Sequence, residues 1–268
     1  MSVSPPQPEF EVHLPVPDLS PWAAGNTAVP GFTTREGALP GPHVAILALT
    51  HGNEFAGAIV LERLLRAGFV PRLGRLTSGF VNQAAFDRFD PLHPTASRFL
   101  DEDINRVWDE AVLDGPRRSR ELDRAREIRP LIETVDVLLD LHSMLWPSEP
   151  LMLCGGVNKG RALALCIGAP EMVVADKGHA NGKRLIDYTR FVDPGTDACA
   201  NLLEAGQHWQ QSTVDVAQAA VTGLLGSAGM TECARPDVRQ RCATVTAAVT
   251  AATKHFSFVQ SYRGGQIV

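Results

Sequence analysis

Paired cysteines are missing from this sequence. Its five cysteines (Cys154, Cys166, Cys199, Cys233 and Cys242) are odd in number, scattered, and never in a CxxC arrangement. A disulfide framework or a cysteine-based zinc site is therefore not expected, and a reducing cytosol is the expected compartment. Basic tracts are missing too: Lys+Arg 25 against Asp+Glu 30 leaves a net charge of -5. Nucleic acid demands clustered Lys and Arg, so it is not the expected partner, although one or two placed arginines can hold a small anion. Apolar runs such as "VAILAL" are far too short to cross a bilayer. The N-terminus, "MSVSPPQPEFEV", has neither a basic nor an apolar segment, so no signal peptide is read there. These absences leave a cytoplasmic protein with no membrane partner. With 268 residues, 44% hydrophobic and 21% charged, the chain has room for one large α/β domain, or for one domain with a small appendage.

Residues 1–40 are rich in Pro and Gly and read as an irregular lead-in, with one strand near "FEVHLPV". "HVAILALT" (43–50) is a short continuous apolar run, which suits a strand buried on both faces. Residues 54–69 then carry apolar side chains at helical spacing and end near Gly68. Residues 75–86 predict a second strand opening into a loop, which runs into the charged "RFLDEDINRVW" (98–108). Residues 117–135 predict an exposed, salt-bridged helix with one buried stripe, bent near Pro130. It leads into a third buried strand, "DVLLDLHS" (136–143). Further strands are expected at 151–156, 171–176 and 199–206, and a helix at 209–225. The last stretch, rich in Thr and Val, reads as a short β tail. Alternating strands and helices point to an α/β sheet covered on both faces.

Open α/β sheets build their sites at the carboxyl ends of strands, and four clusters fall at such ends. The first is His51 with Glu54, an imidazole and a carboxylate one helical turn apart, with Gly52 between them permitting the turn. Both are the ligand types of a hydrolytic zinc site, which takes three protein ligands and keeps a fourth position open. Alone, the pair reads more readily as a capped turn, because HxxE is common by chance. His142 ends another buried strand and can supply a third ligand, with Asp140 two residues earlier on the same strand face. "DINR" (103–106) adds amide and guanidinium donors suited to a carboxylate, and Arg98 a second guanidinium able to polarise a carbonyl. A solvated charged loop is the plainer account of that run. Glu204 follows the apolar "NLL" at the end of a strand and can carry a proton, or be an ordinary surface acid.

In order and spacing, "HGNE", Arg98 with "DINR", "DLHS" and "LLEAG" resemble the succinylglutamate desuccinylase/aspartoacylase family, zinc carboxypeptidase-like deacylases. "FVNQAAF" also resembles that family's strand and loop after the first helix, and the likeness covers roughly residues 40 to 210. The resemblance implies a mixed, mostly parallel α/β sheet with helices on both faces. It implies one zinc ion per chain on His51, Glu54 and His142, with Glu204 as general base and acid and Arg98 polarising the scissile carbonyl. Asn105 and Arg106 match the pair that holds the substrate carboxylate, and Asp103 matches an acid that arranges their loop.

The family continues into a second, mostly β domain. Here residues 1–235 are read as the catalytic domain and 236–268 as a short β appendage, reduced or truncated. In "KGHANGKRLIDYTR" (177–190), Lys183, Arg184 and Tyr188 are candidates for reading an acyl carboxylate, with a solvated loop as the alternative. The expected function is zinc-dependent hydrolysis of the amide of an N-acyl amino acid, a small-molecule partner; homo-oligomerisation stays open. A zinc carboxypeptidase acting on short peptides and a non-catalytic binding protein on the same fold are the alternatives.

Overall fold

The computed structural model describes residues 10–231. In chain order its strands and helices are β1 (Phe32–Glu36), β2 (Leu39–Ala48), α1 (Ala56–Arg66), β3 (Leu73–Phe80), α2 (Gln83–Phe86), α3 (Glu110–Leu113), α4 (Arg120–Ile132), β4 (Val137–Met144), β5 (Leu151–Leu153), α5 (Asn158–Ile167), β6 (Val173–Val174), α6 (Thr189–Val192), β7 (Cys199–Gln207) and α7 (Gln211–Ser227). The strands form one sheet ordered β1-β3-β2-β4-β7-β5-β6. β2, β3, β4 and β7 run parallel, while β1 and β5 pair antiparallel with β3 and β7. This is the mixed, mostly parallel sheet that the family resemblance implies.

Both faces are covered because the central strands carry apolar side chains toward both sides. In β2, Val44, Ile46 and Ala48 join the core under α1, α5 and α7, whereas Ala45 and Leu47 join the core under α4. β4 and β7 alternate likewise: Leu139, Leu141, Leu203 and Ala205 on the first face, Leu138, Ala200 and Leu202 on the second. A strand buried on both sides cannot show polar alternation, so the unbroken run "HVAILALT" was its signature. Among the described residues no helix is long and apolar enough to cross a membrane.

Several sequence expectations need correction. Residues 10–16 hold no strand: His13 donates a single backbone bond to Trp209 O, and Pro15, which has no N–H, breaks any ladder. The first strand is instead "FTTRE", on the edge beside β3. The helix at 117–135 is shorter, α4, with Ser119 as its N-cap (Oγ accepts from Leu122 N, 3.0 Å) and Pro130 in its last turn. α5 was not anticipated, since Gly160 interrupts a short apolar pattern. That glycine sits where a Cβ would strike the Cys154 carbonyl. The expected β tail at 236–268 lies outside the described residues.

Two predictions follow from the packing. Gly57, in the first turn of α1, faces β4 so closely that a Cβ there would lie 2.6 Å from Leu141 Cβ. In a free helix Gly→Ala gains about 1 kcal/mol; here contact between two backbone-borne carbons reverses the sign, and Gly57→Ala should lower the denaturant midpoint. Buried His43 bonds Thr77 Oγ1 (Nε2, 2.8 Å) and Thr134 O (Nδ1, 3.0 Å), and burial, aided by the Arg75 charge, pushes its pKa down. The unfolded chain then binds the extra proton on acidification, so stability is fully present above about pH 6.5 and declines below it. Between pH 7 and 5 the thermal midpoint should fall less in His43→Gln than in wild type.

Candidate metal centre

The sequence order reverses between β2 and β4: β3 lies to one side of β2, and β4 then β7 to the other. The carboxyl ends at such a switch point splay apart and leave a crevice. β2 stops there at Leu49, whose φ of 59° is the one positive value at a non-glycine among the described residues. Such a backbone costs about 1–3 kcal/mol and persists only where its surroundings hold it. It turns the chain into residues 51–54, where Glu54 N–H donates to His51 O (3.1 Å). His51 and Glu54 are thus brought together by a tight turn before α1, not by its first helical turn as their spacing suggested. Gly52 serves this turn by close approach, since a Cβ would lie 2.5 Å from backbone atoms of Ala85, Phe86 and Ser97.

His51, Glu54 and His142 each bring one donor atom within 4.8 Å of the other two, all buried. The two imidazoles are oriented alike. His51 Nε2 pairs with Asp103 Oδ1 (2.9 Å) and its Nδ1 faces Glu54 Oε1 (2.8 Å). His142 Nε2 pairs with Asp140 Oδ2 (2.8 Å) and its Nδ1 faces Glu54 Oε2 (3.2 Å). Each ring is held at one nitrogen by a carboxylate and presents the other to a common point, the arrangement found around metal-bound histidines. Asp140 is itself steadied by Thr50 Oγ1 (2.8 Å). Two imidazoles and one carboxylate form an N/O donor set that fits zinc.

Burial alone would raise the Glu54 pKa, but the charges of and hydrogen bonds from His51 and His142 outweigh it and hold it well below the usual carboxylate range. Ser143 N–H (2.9 Å, to Oε2) and Arg98 Nη1 (2.8 Å, to Oε1) also donate to Glu54. For His142, burial would lower the pKa, yet the Asp140 charge and hydrogen bond lift it well above the usual value.

Glu204 stands opposite His142 in the parallel register of β4 and β7. Strand alternation puts both on the α4 face, on neighbouring strands. Burial, then the nearby Glu54 charge, drive the Glu204 pKa well up. Its Oε2 is buried with no hydrogen-bond partner. Four residues on, His208 was missed in the sequence; its cue was a histidine just past a strand end that already carried Glu204. It is buried, paired at Nδ1 with Ser143 Oγ (2.8 Å), and brought down to about 3 by burial.

Arg98, Asp103, Arg106, Asn53 and His208 wall a cavity of about 520 Å³, within the usual range for small-molecule sites. The loop from Arg98 to "DINR" is pinned by buried Glu121 of α4, unforeseen in the sequence. Its carboxylate accepts from Leu100 N (2.6 Å), Asp101 N (2.9 Å), Glu102 N (3.3 Å) and Asn82 Nδ2 (3.2 Å). Asp103 caps the single turn Ile104–Arg106 (Oδ1 to Asn105 N, 2.8 Å) while holding His51. Arg106 borders the cavity; Asn105 is buried, and its Oδ1 accepts from Leu185 N (2.9 Å).

The segment 177–190 departs from expectation. Arg184 is buried and bonded to Asp176 and Asp187, Lys183 pairs with Asp109 (2.9 Å), and Tyr188 packs on Trp108 and bonds Arg129 and Glu133. These side chains hold the loop together and do not wall the cavity. His179 and Asn181 of the same segment do.

Residues 40–153 match the family model described as the succinylglutamate desuccinylase/aspartoacylase catalytic domain. The likeness to that family is therefore established. The match contains His51, Glu54 and His142 but stops before Glu204. An aspartoacylase from Xenopus tropicalis is 31% identical over 123 residues, 42% of this chain and 37% of its own length. A succinylglutamate desuccinylase/aspartoacylase structure from Rhodobacter sphaeroides superposes with TM-score 0.58 at 19% identity, covering 76% of this chain and 60% of that one. A succinylglutamate desuccinylase from Chromobacterium violaceum gives TM-score 0.58 at 22% identity, covering 78% and 70%. The chain thus spans about a third of the curated relative, and these structures share its fold.

The carboxylate–imidazole pairs carry a prediction. Asp140→Asn replaces the anion that orients His142, and should weaken zinc affinity about 10- to 100-fold by chelator competition.

Proposed function

We propose that this chain is a zinc-dependent deacylase that hydrolyses the amide of an N-acyl amino acid. One observation carries the reading: an oriented His–Glu–His cluster lies beside a buried carboxylate, Glu204, whose Oε2 has no hydrogen-bond partner, and Arg98, bonded to Glu54, walls a cavity together with Arg106. Zinc, when bound to His51, Glu54 and His142, supplies a Lewis acid that acidifies water near neutral pH and polarises a carbonyl.

The chain's own groups do the rest. Arg106 takes the substrate carboxylate at the cavity wall, and Asn105 holds the backbone that presents it, bonding Leu185 N. Arg98 offers its guanidinium to the carbonyl oxygen as negative charge develops there. Glu204 accepts a proton from the attacking water and passes it to the departing nitrogen; the environment that raises its pKa suits it to that return. Asp103 and Asp140 keep the two imidazoles in the tautomer that leaves Nδ1 free. Residues 1–235 serve as the catalytic domain in this reading, and the reducing cytosol is its setting.

Purified, zinc-loaded protein should cleave N-acyl amino acids in preference to short peptides. Absence of bound zinc together with absence of hydrolysis would end the reading, and preference for peptides would favour the carboxypeptidase alternative. Glu204→Gln should keep its zinc and bind substrate, yet lose about 10²- to 10⁴-fold in kcat, the usual contribution of general acid–base catalysis.

A further inference from the structure

Asn53 sits between Gly52 and Glu54, in the turn that carries two of the three candidate ligands, and has no role in the mechanism above. It is 2% exposed, borders the cavity, and its Oδ1 has no hydrogen-bond partner. Its backbone cannot swing away to find one. Asn53 O accepts from Trp209 Nε1 (3.1 Å), Gly52 N–H donates to Arg98 O (3.0 Å), and Glu54 N–H closes the turn on His51 O. Among the described residues, five buried side-chain polar atoms lack a partner: Trp22 Nε1, Asn53 Oδ1, Ser97 Oγ, Asn201 Oδ1 and Glu204 Oε2. Of these residues only Asn53 walls the cavity. An unpartnered buried acceptor is costly, and such atoms survive at sites that take a ligand.

The chemistry of the ligand narrows what this acceptor meets. A neutral amide oxygen has nothing to offer a carboxylate or a carbonyl, both of which are acceptors themselves. An N-acyl amino acid has one obligatory donor near its reacting carbon, the N–H of the bond to be cut. Asn53 adjoins Glu54 in sequence and walls the cavity beside Arg98, the group given to the carbonyl oxygen of that bond. We propose that Asn53 is a substrate-binding residue whose Oδ1 accepts the N–H of the scissile amide, so that the site selects secondary amides. This proposal rests on the deacylase reading. The bond orients the amide, fixing which face of its carbonyl is attacked, and stays available to the amine as it leaves.

The test pairs a substitution with a change in substrate. Asn53→Leu keeps the side chain's shape and removes the acceptor. The substrates are the N-acetyl amino acid that the zinc-loaded wild type cleaves fastest and its O-acetyl hydroxy-acid analogue, in which an ester oxygen replaces N–H without added bulk. Asn53→Leu should lower kcat/KM for the amide about 10- to 100-fold and for the ester by no more than about threefold. Zinc content should be unchanged and the thermal midpoint equal or higher, because an unpartnered polar group has been removed. Equal losses on both substrates, an unchanged rate on the amide, or a lowered thermal midpoint would overturn the proposal. A wild type that cleaves no N-acyl amino acid sinks the deacylase reading first, and this inference with it.

Discussion

The structure of the site depends on one buried carboxylate, Glu54. An anion cannot be removed from water unless its charge is met. Here it is met from four directions, by the Nδ1 atoms of His51 and His142, the Ser143 amide and the Arg98 guanidinium. Each of those groups is fixed by something else in turn: His51 by Asp103, His142 by Asp140, Ser143 by its place in β4. The cluster is an array of alternating charges whose focus is a point between two imidazoles and a carboxylate. The same charge, added to burial, raises the pKa of Glu204.

What supports that array is the sheet rather than the loops. β2, β4 and β7 are parallel and adjacent, and their carboxyl ends deliver His51, His142 and Glu204 to one edge. The loop bearing Arg98 and Arg106 seats Ile104 in the core and is further held by charge-assisted bonds. Glu121 gathers three successive backbone amides, and Asp103 joins the cap of one turn to the His51 ring. Rigid strands supply the ligands, and a strapped loop supplies the guanidiniums. The same division explains why segment 177–190, dense in charge, spends Arg184 on its own aspartates: its cations stabilise the loop that brings His179 and Asn181 to the cavity.

Legibility in the sequence followed how local the cause was. "HVAILALT", "DVLLDLHS" and "CANLLEAG" were readable as strands because burial on both faces leaves short apolar runs without regular polar alternation. α1 and α7 were readable from helical spacing. β1 and α5 were not, because an edge strand and a short helix with an internal glycine owe their existence to neighbours. The same holds in the site. His51, Glu54, Asp140, His142 and Glu204 are chemically conspicuous residues at or just past strand ends, whereas Arg98, Asp103, Asn105 and Arg106 lie in the loop between α2 and α3; the structure draws His51, Glu54 and His142 together. Glu121 and His208 were silent, one looking like a helix-surface acid and the other like a stray histidine. Lys183, Arg184 and Tyr188 were suggested by residue type alone and proved to be bonded elsewhere.

The sequence by itself determined the chemistry this protein has available: imidazoles, carboxylates and guanidiniums at the ends of apolar strands, without cysteine pairs or basic tracts. Only the tertiary structure decided which nitrogen each histidine presents, which carboxylate has its pKa raised, and which arginines border the cavity. Residue identity and spacing act along the chain, as Asp140 does on His142, whereas the contacts that close the cluster come from groups 44 and 88 residues away in sequence, as Arg98 and His142 are from Glu54. Those contacts exist only once the sheet has brought the strand ends side by side.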